Sequence, residues 1–380
     1  MTGLAIPVFS LSAAYEAYRT ELSQACDSVL SGGWYINGAN VAAFETEFAA
    51  AFGLSNAIGV ASGTDALIVA LRAFDLGPDD LVFTVSHTAV ATVAAIELAG
   101  ASPVLVDIDP RACCIDPDKL ESAILAAKAE GARPRAVVAV HIYGHPAPID
   151  ALLDICRRHD LLLIEDCAQA HGSRWRDASV GTYGDAACFS FYPTKNLGAF
   201  GDAGAVSFRD PAKAEMARAI REYGWRRRYV SDICGMNSRL DELQAALLRV
   251  RLRHLNGELS RRRAIASIYD EILSCKVATP KTAEGATHSY HLYVIDVDDR
   301  DGLATRLAEA GIGTGVHYPV PIHLQPAYLG RVRVGPGGLP VTERMAGRVL
   351  SLPMFPFLSD PECETVARAV IAGLQAGPRA

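Results

Sequence analysis

The sequence predicts an α/β fold: a large domain over residues 1–250 carrying a mainly parallel seven-stranded sheet, then a smaller α+β domain over residues 251–380. Three observations predict it. Short apolar runs recur along the first part of the chain, nearly continuous in Val, Ile, Leu, Ala and Phe, as strands read when helices cover both faces of a sheet. Helical stretches fall between several of them, and such alternation implies a mainly parallel sheet. After about Asn237 the rhythm changes, and apolar residues recur at helical spacing.

In chain order the expected strands are 57–61, 81–85, 103–106, 136–141, 161–165, 187–191 and 205–208, with helices over 65–74 and 148–158 among the connections. Leu240, Leu243, Leu247, Val250 and Leu255 then make the stripe of a long helix that continues through Arg261, Arg262 and Arg263. The expected domain boundary lies near residue 250. Beyond it follow a strand over 291–297, a helix over 303–310 and a strand over 313–317. The stretch 330–339 is rich in Gly and Pro and reads as a surface loop.

A chain of 380 residues, 50% apolar and 21% charged, is an ordinary globular mix that can bury a large core. The net charge of -7 gives no support for a nucleic-acid partner. Residues 1–10 lack a basic region and a long apolar core, so no signal peptide is expected. The longest apolar helical run, 89–99, is broken by Glu97, so no membrane span is expected. The nine cysteines include no CxxC pair, and Cys167 and Cys188 lie in apolar runs. They read as reduced, mostly buried thiols of a cytoplasmic protein. Adjacent Cys113 and Cys114 sit in a polar connection and read as an ordinary loop.

Four segments carry chemistry. Ser62-Gly63-Thr64-Asp65 joins a strand to a helix, and small residues at a helix start let a phosphate approach free N–H groups. The plain alternative is an N-cap. The second segment is a buried strand that ends at Glu165 and Asp166, with Gln169 just beyond. Strand C-termini line the ligand crevice of parallel sheets, and a carboxylate there can keep a pyridine nitrogen protonated. The third runs from Ser190 to Gly198, with Lys195 between Pro193 and Gly198. It is neither a Walker A loop nor a GxGxxG fingerprint. A desolvated lysine there can form a Schiff base, and Ser190 is placed to bond a phosphate; a structural lysine is the competing reading. The fourth, Gly235 to Glu242, opens the long helix, with Asn237 or Ser238 as its cap in the plainest reading.

Taken together, these residues resemble the DegT/StrS family of nucleotide-sugar aminotransferases, which share the aspartate aminotransferase-like fold (PLP fold type I). The likeness covers nearly the whole chain. It includes Ser62-Gly63-Thr64, 141–144, 165–169, 190–198, 237–242 and His317-Tyr318-Pro319. The resemblance implies a pyridoxal 5'-phosphate enzyme that passes through pyridoxamine 5'-phosphate and moves an amino group from L-glutamate to a nucleotide-linked keto-sugar. It implies that Lys195 carries the cofactor, that Asp166 pairs with the pyridine nitrogen, and that Gln169 meets the phenolic oxygen. Gly63, Thr64 and Ser190 would hold the phosphate. Asn237 would reach the phosphate in a neighbouring subunit, which implies a homodimer with shared sites.

One departure is visible: the family's ring-stacking aromatic, after a segment matching Ser86-His87-Thr88, is Ala89 here, with His87 the first candidate to replace it. The segment from His317 to Tyr328 runs through three prolines and resembles the branch that aminates C3 of the hexose, with His323 and Tyr318 toward the sugar. Amination at C4, a sugar dehydratase and a non-catalytic regulatory protein are the rival readings. Dehydratases of this fold carry His where Lys195 stands, and the set Asp166, Ser190 and Lys195 argues against a regulator. His141 and His145, four residues apart, find no completing carboxylate in the sequence, so no metal site is expected. Arg226, Arg227 and Arg228 would suit a substrate diphosphate or a solvated basic loop equally.

Overall fold

All seven expected strands form and join one sheet: β1 (Ile58–Val60), β2 (Asp80–Val85), β3 (Ser102–Val106), β4 (Arg133–Val140), β5 (Leu162–Asp166), β6 (Ala186–Ser190) and β7 (Gly204–Phe208). This computed structural model describes residues 5–273 and 276–376, so the expectation for residues 1–10 falls partly outside it. In the C-terminal part, β8 (Tyr293–Asp296) and β10 (Val349–Leu352) pair antiparallel. Between them β9 (Arg333–Val334) extends the large sheet, running parallel to β3. The order is β1-β7-β6-β5-β4-β2-β3-β9, and only β7 runs against its neighbours.

Two expectations change here. The stretch 330–339 is not all loop: Arg333 and Val334 pair with Val104 and Leu105, and the sheet gains an eighth, two-residue edge strand. The strand expected over 313–317 shrinks to one bridge, Gly315 to Ser351.

The helices are α1 (Leu11–Gly32), α2 (Ala39–Phe52), α3 (Gly63–Ala73), α4 (Val90–Leu98), α5 (Pro117–Ala129), α6 (Ile149–His159), α7 (Pro211–Ile220), α8 (Glu242–Leu273), α9 (Arg300–Glu309), α10 (Pro340–Ala346) and α11 (Asp360–Gln375). They cover the sheet on both faces, and the strand periodicity shows it. Val137 and Ala139 of β4 pack with Leu120, Ile124 and Leu152 of α5 and α6. Ala136 and Val138, one residue out of step, pack with Leu67, Ala70 and Leu71 of α3.

The long helix α8 ties the two parts together and runs unbroken through residue 250. Its first half sets Ala245, Leu248, Leu255 and Leu259 against Phe44 and Phe48 of α2. Its second half sets Ile265, Ala266, Tyr269 and Leu273 against the β8–β10 pair and α11. We propose the division between the two domains within this helix. Glu242 at its start is buried and accepts from the N–H groups of Gly38, Asn40 and Val41, so it also caps α2.

The described cysteines are free thiols, and six of them are buried. Cys113 and Cys114 belong to the buried core rather than to a polar loop, packed with Ile108 and Ile115. Burial pushes the Cys114 thiol up to about 12, which leaves it protonated and inert. Among the described residues no helix is long and apolar enough to cross a membrane.

Candidate active site

A cleft of about 230 Å³ opens at the C-terminal ends of β4, β5 and β6, and Gly63, Thr64, Asp166, Gln169, Ser190 and Lys195 all line it. Residues far apart in sequence are thus brought together by the crossovers of one parallel sheet.

The start of α3 forms one wall. Ser62 caps it, its Oγ accepting from Asp65 N at 3.1 Å. A Cβ at Gly63 would stand 2.5 Å from Ser190 Cβ, so glycine is what lets the helix start approach the end of β6. Ser238, read as a cap of the long helix, does something else. That helix begins later, and Ser238 Oγ donates to Asp65 Oδ2 at 2.7 Å while accepting from Ala61 N at 3.0 Å. It braces the start of α3. Asn237, beside it, is exposed and does not line the cleft of its own chain.

Asp166 ends β5 and is buried. Its Oδ2 accepts from Thr92 Oγ1 at 2.9 Å and its Oδ1 from Ala168 N at 3.2 Å. Burial raises its carboxyl above the ordinary range, and these bonds with the Lys195 charge only partly offset that. Lys195 is half-buried, and desolvation lowers its amine from 10.5 to about 8, against the pull of Asp166. At pH 7 about one amine in ten is then unprotonated, against about one in three thousand for an ordinary lysine.

The neighbouring Glu165 faces the other side of the sheet and is fully enclosed. It accepts from the N–H groups of Gly181 (2.7 Å), Tyr183 (2.9 Å) and Gly184 (2.6 Å) and from His141 Nε2 (3.1 Å). Because His141 Nδ1 accepts from Ala147 N at 2.9 Å, the ring proton lies on Nε2 and is donated to Glu165. Burial alone would raise the Glu165 carboxyl, but the imidazole and the backbone donors hold it below the ordinary range. A carboxylate therefore does stand beside His141, and with Cys167 the ligand atoms lie within 4.8 Å. Its four hydrogen bonds make it a latch that fixes the end of β5 and so the direction of Asp166. His145, the other half of the suspected pair, turns to Lys281 O at 3.1 Å.

Gln169 links the cleft to the small domain. Its Oε1 accepts from Tyr143 N at 2.7 Å, and its Nε2 donates to Tyr318 Oη at 3.0 Å. Tyr318 thereby touches Gln169 without itself lining the cleft, its hydroxyl raised to about 12 by burial. His323 does not reach it. Ser86 Oγ accepts from His323 N at 3.2 Å, lies 2.8 Å from Nδ1, and Nε2 meets Glu343 Oε1 at 3.1 Å. Arg226 to Arg228 fall on an exposed hairpin.

The open question at Ala89 has a geometric answer. Tyr143 Oη donates to His317 O at 2.6 Å and so accepts from His87 Nε2, also at 2.6 Å. His87 is buried and turned to Tyr143, while Thr88, Ala89, Ala91 and Thr92 face the cleft. Ala89→Tyr is expected to keep cofactor affinity or raise it by up to about tenfold, since ring stacking contributes about 1 kcal/mol beyond burial. Fluorescence titration of apoprotein checks this; weaker binding would show that the space is already filled.

Sequence reasoning missed the roles of Thr92 and Tyr143, and read Ser238 only as a cap of the long helix. Each acts by hydrogen-bonding a residue of a recognisable motif: Thr92 to Asp166, Ser238 to Asp65, and Tyr143 to Gln169. The Thr88–Thr92 spacing, one helical turn, was the available signal for Thr92.

The family model for the DegT/DnrJ/EryC1/StrS aminotransferase family matches residues 16–371. The chain is 46% identical over 374 residues to the erythromycin biosynthesis sensory transduction protein EryC1 of Saccharopolyspora erythraea, covering 98% of this chain and 99% of that one. It is 44% identical to the dTDP-3-amino-3,4,6-trideoxy-alpha-D-glucose transaminase of Streptomyces venezuelae, covering 96% of this chain and 95% of that one. Among solved structures it resembles S. venezuelae DesV in complex with a ketimine intermediate, with a TM-score of 0.93, 44% identity and 99% of both chains covered.

Proposed function

The chain belongs to the DegT/DnrJ/EryC1/StrS aminotransferase family and is a pyridoxal-phosphate enzyme of fold type I, and from that premise we propose a specific reaction. It moves an amino group from L-glutamate to C3 of a nucleotide-linked keto-hexose, in amino-sugar biosynthesis in the cytoplasm. The observation that carries the reading is the meeting of Lys195, Asp166, Gly63, Thr64 and Ser190 in one cleft.

The residues fit the cofactor. The α3 start with Gly63, Thr64 and Ser190 would hold its phosphate, because the glycine leaves N–H groups open beside a hydroxyl. Asp166 would keep the ring nitrogen protonated, and Gln169 Nε2 would meet the phenolic oxygen. When bound, the group supplies an aldehyde and an electron-withdrawing ring. Lys195 Nζ would serve as the group that takes the proton from the donor's α-carbon and returns it on the cofactor's side.

Two chains complete the unit in this reading. Asn237 is exposed and does not line its own cleft, and large apolar side chains stand uncovered, among them Trp34 (67% exposed) and Tyr229 (72%). A fully active monomer in sedimentation at assay concentration would overturn the shared site.

The S. venezuelae relative, a transaminase of a 3-amino sugar nucleotide, supports C3 over C4. The name of the S. erythraea relative favours a sensory role, but the complete catalytic set here favours catalysis. The test is a screen of nucleotide keto-sugars with glutamate, read by mass spectrometry. A 3-keto sugar is expected to gain the amino group. His323 sits at the end of β2, and its Nε2, released from the exposed Glu343, would meet a sugar hydroxyl or the diphosphate. His323→Asn is expected to raise the sugar KM by about tenfold, one lost polar contact, and to spare the glutamate half-reaction. Efficient use of 4-keto sugars alone would overturn the C3 assignment.

A further inference from the structure

Lys195 and Gln169 line the cleft from different loops, yet both are tied to one short segment, residues 289–292, just before β8. The first tie runs through the neighbour of the lysine. Asn196 is buried, 2% exposed, and its Nδ2 donates to Ser289 O at 3.1 Å. A carbonyl only accepts, so the NH₂ of the amide must face it; Asn196 Oδ1, also buried, meets no donor among the described residues. The side chain is thus anchored by the Ser289 bond alone. The second tie runs through Tyr143 and Gly144. Ser289 N donates to Gly144 O at 3.1 Å and Leu292 N to Tyr143 O at 3.2 Å, while Tyr143 N donates to Gln169 Oε1 at 2.7 Å. A Cβ at Gly144 would stand 2.4 Å from Ser289 Oγ, so glycine lets the two backbones meet.

The segment has little freedom to move. Arg262 Nη1 of α8 donates to Tyr290 O at 3.0 Å, Tyr290 N donates to His288 Nδ1 at 2.8 Å, and Ser173 Oγ donates to Gly144 O at 2.7 Å. Tyr143 and Tyr290 both hold positive φ, 62° and 48°, which bulky side chains adopt only where surrounding contacts over-determine the backbone. In the proposed chemistry the lysine nitrogen and the partner of the phenolic oxygen must meet one small ring at a fixed separation. We infer that Asn196 is a positioning residue for Lys195: through Ser289 O it holds the lysine loop against the same segment that sets Gln169. The inference rests on the assignment of Lys195 to the cofactor made above.

The test mixes full-length apoprotein with pyridoxal 5'-phosphate and reads covalent capture at Lys195 by borohydride fixation and mass spectrometry. At saturating cofactor, Asn196→Ala should capture it about ten- to a hundredfold more slowly than wild type, with the half-saturating concentration unchanged because the proposed phosphate wall is intact. A merely structural loss would not split the two. Asn196→Asp supplies a conditional rescue. A carboxylate beside Ser289 O cannot donate, but the protonated acid can, and burial favours the acid. The ratio of its capture rate to that of Asn196→Ala should therefore climb as pH falls; Lys195, His288 and His291 titrate in both variants and cancel. Thr84→Val is the control. It removes a buried bond of the same kind, Thr84 Oγ1 to Val138 O at 3.0 Å, from a residue that does not line the cleft, and should capture at the wild-type rate. If wild type fixes no cofactor at Lys195, the lysine assignment fails and the inference with it. If wild type fixes cofactor and Asn196→Ala captures it equally fast, or Thr84→Val is slowed as much, only the inference fails. Should the alanine variant not fold, the aspartate variant decides: a pH-independent ratio to wild type overturns the positioning role.

Discussion

Lys195→Ala is expected to lower turnover by about 10³-fold or more, the loss that follows when a positioned proton-transfer group and covalent anchor are removed together. The loop leaves no substitute. Lys195 N donates to Tyr192 O at 2.8 Å, and a Cβ at Gly198 would stand 2.3 Å from Pro193 O, so the turn is too tight to offer another side chain. The proposed phosphate wall at the start of α3 is untouched by the change, so the variant should still hold cofactor, now without a covalent bond. Borohydride reduction followed by mass spectrometry should find cofactor fixed to wild type and none fixed to the variant. The wild-type pH profile is a second check. The free amine is the nucleophile and its pKa lies near 8, so capture of cofactor by apoprotein should speed up as pH rises through about 8 and level off above it. A rate still climbing at pH 10 would mean an undepressed lysine, and near-wild-type turnover in the alanine variant would remove Lys195 from the chemistry.

The large sheet was legible because its strands are buried on both faces, and burial on both faces writes itself as continuous apolar runs. The cleft was legible for a related reason. A helix start that approaches a strand needs glycine, and a ligand crevice at strand ends needs polar residues after apolar ones; both are local patterns, at Gly63 and at Asp166. What was not legible depends on contacts across the fold. Arg333 and Val334 carry no strand signal between Gly330 and Gly335, and only the exposed edge of β3 makes them a strand. Glu165 and His141 are 24 positions apart on neighbouring strands, so their latch could not be read from the spacing of His141 and His145. His323 stands in a proline-rich loop whose docking on Ser86 is set by Ile322 and Tyr328 packing on Val93 and Leu105.

Asp166→Asn is expected to lower kcat by about 10²- to 10³-fold while leaving the fold intact, the scale of losing one preorganised electrostatic contact to the reacting group. The amide is nearly isosteric with the carboxylate. Its oxygen can accept from Ala168 N, and its NH₂ can donate to Thr92 Oγ1, which accepts in place of donating. Only the charge disappears, and in the proposed role the charge keeps a ring nitrogen protonated. The same substitution should not cost apoprotein stability. Burial raises the Asp166 carboxyl above its unfolded value, so the folded state binds more protons in that window. Stability from this group is therefore present at low pH and lost as pH rises through the folded pKa. At neutral pH the buried charge is a penalty that Asn removes, and the variant's Tm should equal or exceed that of wild type. Lys195 reports the change independently. Asp166 is the charge that raises its amine, so without it the lysine should titrate below about 8 and the pH profile of cofactor capture should move down. Slower turnover with an unmoved capture profile would mean that Asp166 and Lys195 do not share the cleft as described; turnover within a few-fold of wild type would take Asp166 away from the ring nitrogen altogether.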